Sequence, residues 1–116
     1  MVRETFTIKC DDLKSLISKL TDTLTKSFKS FSIQEIKENL YYLVYEQYFK
    51  RSSSFVMITI MINKVTDQKI NIKIISGGGK AGIFHTNWNE KSSIEHFRKI
   101  INDFILSDTG EPMSIN

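Results

Sequence analysis

Residues 55–62 read Phe-Val-Met-Ile-Thr-Ile-Met-Ile, a run broken only by Thr59, and nothing else in the chain limits the fold so strongly. Eight residues fall far short of the roughly 20 that cross a bilayer as a helix, so no transmembrane helix is expected. The run alternates. Val56, Ile58, Ile60 and Ile62 make one side, β-branched throughout, and Phe55, Met57, Thr59 and Met61 make the other. β-Branched residues at period two specify a strand, and a strand apolar on both sides belongs in the middle of a sheet.

The flanking segments supply that sheet. Leu40 to Phe49 is a long aromatic strand, with Tyr41, Leu43 and Tyr45 facing one way and Tyr42, Val44, Glu46 and Tyr48 the other. Lys50 to Ser54 is a polar turn, and Lys64 to Gln68 a hairpin turn. Lys69 to Ser76 then returns with Ile70, Ile72 and Ile74 on one face. Three antiparallel strands therefore occupy the middle of the chain. Nearer the N-terminus, Phe6, Ile8 and Cys10 alternate with Thr5, Thr7 and Lys9, the pattern of a half-buried strand.

Two helices bracket these strands. Leu13, Leu16, Ile17, Leu20 and Leu24 follow the spacing of one helical face, after Asp11 and Asp12, either of which can accept from free N–H groups at a helix start. Ser92-Ser93-Ile94-Glu95 reads as a capping box, opening a second helix whose Ile94, Phe97, Ile101, Phe104 and Ile105 share a face. Residues 27–39 fit a frayed helix end, a short strand or a connection. The order is β-α-β-β-β-(β)-α, the last strand being optional.

Each helix must bury one apolar stripe, and packing both on one face of an antiparallel sheet achieves that. The expected fold is an α+β two-layer sandwich. A chain of 116 residues sits near the usual size of one domain and buries roughly two-thirds of its unfolded surface. Residues 1–108 are read as that single domain, and 109–116, with Gly110 and Pro112, as a flexible tail.

A two-layer sandwich leaves its second sheet face wet. Here that face carries large apolar side chains, and an apolar patch of a few hundred Å² marks a partner or ligand surface. Tyr41, Leu43, Tyr45, Phe55, Met57 and Met61 are the candidate interface, and a homodimer the expected assembly. The alternatives are a cover supplied by the chain itself and a cavity for an apolar ligand.

Ser76-Gly77-Gly78-Gly79-Lys80-Ala81-Gly82 holds four of the five glycines, directly after a strand. Such turns can aim several N–H groups at an anion. A phosphate-binding loop is nonetheless excluded, because Ala81 stands where Ser or Thr is required and Ile83 to Trp88 reads as extended rather than helical. A small-ligand site here would use Gly77, Gly78, Gly79, His85 and Trp88. His85 titrates in the range of an acid or base, yet no triad, nucleophile elbow or HExxH pattern accompanies it. No catalytic residue, metal site or cofactor is nominated. His96 reads as a boundary residue of the second helix, and Cys10, beside two aspartates, as a buried inert thiol.

The net charge of +3 says little about partners. Thirteen lysines accompany seventeen isoleucines, seven asparagines and a single alanine, the skew that an AT-rich genome imposes through its codons. No block of five like charges occurs, so nucleic acid is not the expected partner. The lone cysteine and the absence of an apolar leader after Met1 fit a reducing cytoplasm.

Val44-Tyr45-Glu46-Gln47-Tyr48-Phe49, the Ser76-Gly77-Gly78-Gly79 segment leading to Asn87-Trp88, and the helix from Ser92 resemble a family of small uncharacterised bacterial proteins, a domain of unknown function. The likeness runs from about residue 40 onward and implies no activity, cofactor or catalytic residue. Where such proteins have Trp-Gly, this chain has Trp88-Asn89. The expected function is a non-enzymatic interaction module that self-associates through its apolar sheet face. The alternative is a small-ligand-binding protein or enzyme with its site at residues 76–90.

Overall fold

The apolar run lies in β4 (Ser54–Thr66), the middle strand of a five-stranded antiparallel sheet. On one side of it come β5 (Lys69–Gly77) and β1 (Val2–Lys9), on the other β3 (Leu40–Phe49) and β2 (Ser32–Lys37). Two helices, α1 (Leu13–Ser27) and α2 (Trp88–Asp108), pack against the sheet in a two-layer α+β fold. This computed structural model describes residues 2–28, 30–50, 53–77 and 88–108.

Register sorts the side chains. Ile58, Ile60 and Ile62 of β4 pair with Ser76, Ile74 and Ile72 of β5, and Phe6 and Ile8 of β1 lie beyond Ile72 and Ile70. All of these side chains are buried with Leu16, Leu20 and Leu24 of α1 and Ile94, Phe97 and Ile101 of α2. The core therefore lies between this inner sheet face and the two helices. Burial of one such aliphatic side chain stabilises by about 1.5–3 kcal/mol, so this stripe pairing dictates which sheet face the helices cover.

Within the segment 27–39, Ser32–Lys37 forms an edge strand, β2. Ile33 of β2 points inward opposite Leu43, while Ser32 and Gln34 point out opposite Val44 and Tyr42. The two-residue turn to β3 places Asn39 at φ 66°, a left-handed position that asparagine tolerates. Bulges at Ile36 in β2 and Val65 in β4 leave those side chains more than half exposed.

The first helix begins where its sequence indicates. Asp12 Oδ1 accepts from the Ser15 N–H at 3.0 Å, and Ser15 Oγ donates to Oδ2 at 2.7 Å. These hydrogen bonds hold the Asp12 carboxyl below its ordinary value of 3.8. A carboxyl whose folded value is depressed adds stability above its unfolded value and loses it as pH falls through the folded one. Asp12→Ala should therefore lower the melting temperature at pH 7, and melts repeated toward pH 3 should show the gap to the unsubstituted chain closing.

The second helix starts earlier than its capping box suggests. Ser92 and Ser93 sit inside α2, which opens at Trp88, and Ser93 Oγ donates back to the Asn89 carbonyl at 2.9 Å. Ser92, the serine three residues before Glu95, lies a full turn inside α2, so the N–H groups it would cap already belong to the helix, and Ser93 bonds the carbonyl four residues back. Further along, Arg98 reaches Glu4 of β1 at 2.7 Å and lies 5.4 Å from the centre of the Phe6 ring, tying α2 to the sheet's far edge.

Candidate functional site

The sheet face away from the helices follows from the same register. Met61 lies between Tyr42 of β3 and Lys73 of β5. Thr59 lies between Val44 and Ile75, and Met57 between Glu46 and Gly77. Phe55 pairs with Tyr48, their rings 4.9 Å apart. Phe55, Met57 and Met61 are 57%, 51% and 41% exposed. A continuous apolar strip thus runs along β4 and β3 on a face that no helix among the described residues covers.

The strip is charged unevenly at its sides. On the β5 and β1 side stand Lys69, Lys73, Arg3 and Lys9, all exposed; on the β3 and β2 side stand Glu46 and Lys37, with neutral Ser32 and Gln34. Four cations face one way from β4, and one cation with one acid the other.

Half of the expected interface lies elsewhere. Leu43 and Tyr45 are fully buried and pair with Ile60 and Ile58 on the inner face; Tyr41, opposite Ile62, is on that side too and half-buried. The outer contribution of β3 is instead Tyr42, Val44 and Tyr48. Both alternating sets of this strand are aromatic, so hydrophobicity alone does not choose between them. One signal was present: Glu46, the only charged residue in Leu40–Phe49, marks the Tyr42, Val44 and Tyr48 set as the wet one.

At one end of the inner face the core turns polar. Ser54, Ser76, Glu90 and Ser93 are buried there, and Asn89 Nδ2 donates to Ser54 Oγ at 3.2 Å. Tyr45 Oη, Gln47 Oε1 and Ser76 Oγ are buried and find no hydrogen-bond partner among the described residues. Burial pushes the Tyr45 phenol well above its ordinary value, because its anion would be stranded without water. Phe28, just past α1, stacks on Tyr45 at 4.5 Å and meets the edge of His96 at 6.0 Å. Sequence periodicity extends the β4 and β5 core stripes to Ser54 and Ser76, which is the signal for this polar end.

The glycine-rich segment leaves from this end. Gly77 is the last residue of β5, and Trp88 is the first of α2, its side chain outside the described set. Gly78, Gly79 and His85 lie outside the described residues. His96 is exposed on α2, as its position indicated, and Cys10 is buried. Among the described residues, no group of three His, Cys, Asp or Glu side chains is placed to hold a metal ion, and no helix is long and apolar enough to cross a membrane.

A groove of about 360 Å³ joins the two regions at the edge of β3, lined by Phe28, Ser30, Glu46, Gln47, Tyr48 and Phe55 among others. It exists because β2 pairs with β3 only as far as Val44, leaving the strand beyond without a neighbour.

No curated protein matches the chain. One family's sequence model matches residues 1–105, which take in all five strands, α1 and most of α2. The chain belongs to that family, DUF6054, a family of unknown function.

Proposed function

We propose that the protein is a non-enzymatic interaction module that self-associates, as a homodimer, through the outer face of its sheet. One observation carries this reading: Tyr48, Phe55, Met57 and Met61 stand exposed together on a sheet face that, among the described residues, carries no helix. Aromatic and methionine side chains are the types enriched at interfaces, and leaving them in water forgoes the free energy that covering them would release. A second copy presents the same patch and is the commonest partner. A net charge of +3 gives only a weak electrostatic footprint for nucleic acid, and the buried thiol of Cys10, the single cysteine, suits a reducing cytoplasm.

Light scattering at micromolar concentration should return twice the chain mass of 13.5 kDa. A monomer mass at that concentration would remove the reading.

A second reading draws on a separate observation. Tyr45 Oη, Gln47 Oε1 and Ser76 Oγ are buried polar atoms near the point where the glycine-rich segment leaves β5. An unpaired buried polar group costs about 1–3 kcal/mol, which a bound water or a small polar ligand would offset. These atoms, with Gly77 beside them, support a small-ligand site where the 76–90 segment leaves β5.

A further inference from the structure

We infer that the second copy docks face to face, turned about a two-fold axis that runs along β4. This rests on the self-association reading and adds its geometry. β4 is the middle strand of five, so it divides the outer face into two halves of equal width. A two-fold axis lying in the interface can run along the strands or across them, and the two choices bring different halves together.

An axis along β4 lays the β5 and β1 half of one copy on the β3 and β2 half of the other. Lys73 then meets the partner's Tyr42, a cation over an aromatic ring, since both flank Met61 in the same row. Ile75 meets the partner's Val44, because both flank Thr59. Met57 and Met61 each meet their own counterpart. The four cations Arg3, Lys9, Lys69 and Lys73 are set against a half whose charged residues are Glu46 and Lys37.

An axis across the strands does the reverse. It lays β1 on β1 and β5 on β5, so the half that carries all four cations lies on the same half of the partner, with Arg3 facing its own counterpart when the axis passes through Thr59. Like charges juxtaposed in an interface exclude an arrangement more effectively than contacts select one. The uneven charge of this face therefore chooses the first axis.

The face is large enough. Five strands about 4.8 Å apart and ten paired residues of about 3.3 Å each span on the order of 700 Å², close to the roughly 800 Å² per partner of a stable complex.

Single cysteines distinguish the axes. Facing sheets sit about 10 Å apart, so a short bismaleimide rather than a disulfide would bridge them. Met57→Cys alone, and Met61→Cys alone, should each give a covalent dimer, with the unsubstituted chain and its buried Cys10 as control. Bridging that needs a mixture of the two variants would overturn the proposal, because an axis across the strands through Thr59 brings Met57 to Met61. A dimer by mass with no bridging at either position would overturn it as well. A monomer by mass would instead remove the self-association reading beneath it. Lys73→Glu adds a measurement of opposite sign for the two axes. Dimerisation should weaken by about two- to five-fold per lost contact with Tyr42, and tighter association would overturn the proposal.

Discussion

Replacing Met57 by lysine should convert the dimer to monomer at concentrations where the unsubstituted chain is fully associated. Met57 is half exposed in the single chain, so the long lysine side chain is accommodated there without loss. In the dimer it faces its counterpart, and two ammonium groups would be desolvated against each other, each with Glu46 of β3 alongside as its neighbouring acid. An unpaired buried polar group costs several kcal/mol, and each 1.4 kcal/mol is a factor of ten in the dissociation constant. With Glu46 offsetting part of that cost, the expected weakening is about 100-fold. Sedimentation equilibrium would measure it, and thermal melts of the monomeric forms should agree within about 0.5 kcal/mol, as for an ordinary surface substitution. A Met57→Lys chain that still dimerises with unchanged affinity would show that this face is not the interface.

Tyr45 should respond in the opposite manner, through stability rather than assembly. Tyr45→Ala removes a fully buried ring that stacks on Phe28 and pairs across to Ile58. Truncating a buried aromatic residue costs about 3–5 kcal/mol, a large part of the 5–15 kcal/mol that holds a domain of this kind together. Tyr45→Phe keeps the ring and deletes only the hydroxyl. That hydroxyl has no partner among the described residues, so its removal should raise stability by about 1–3 kcal/mol.

The same variant has a pH signature. The folded phenol titrates far above its ordinary value of 10.0, so above that pH only the unfolded chain releases the proton, and stability falls. Tyr45→Phe should lose that component, making the decline above pH 10 shallower by up to about 1.4 kcal/mol per pH unit. Denaturant unfolding at pH 7 and at several alkaline values would read both effects. Destabilisation by Tyr45→Phe would mean that a water or a ligand engages the hydroxyl, and would favour the small-ligand reading over the interaction module.

Local chemistry made some elements legible and misled at others. The first helix could be read directly, since Asp12 both caps it and precedes a clean apolar stripe. The second was legible in its stripe but not in its start: Ser92 to Glu95 fits a capping box by residue type, yet the helix continues back to Trp88 and encloses Ser92 in its second turn. A capping pattern is short, and only packing decides whether its serine is free to cap. The β2 strand was obscure for a related reason. An edge strand needs few inward side chains, and here Ile33 is the one that packs against the core. One anchor makes no period.

The candidate site divides along the same line. Phe55, Met57 and Met61 were legible because β4 has one side of β-branched residues that must be core, which leaves the other side exposed. Tyr41, Leu43 and Tyr45 were assigned to the wrong face because β3 is aromatic on both sides, and a strand's orientation is a property of its pairing. Once Leu43 pairs with Ile60, every residue of β3 is assigned by alternation. The polar end around Tyr45, Ser54 and Ser76 appears only when three strands and the start of α2 meet.

Alone, the sequence determines the strand periods, the two amphipathic stripes and hence the layer count, because these depend on residues close together along the chain. Tertiary structure decided which side of β3 meets water, where α2 begins and how charge is divided across the outer face. Those depend on register between strands far apart in sequence, and a shift of one residue in register exchanges the two faces of a strand.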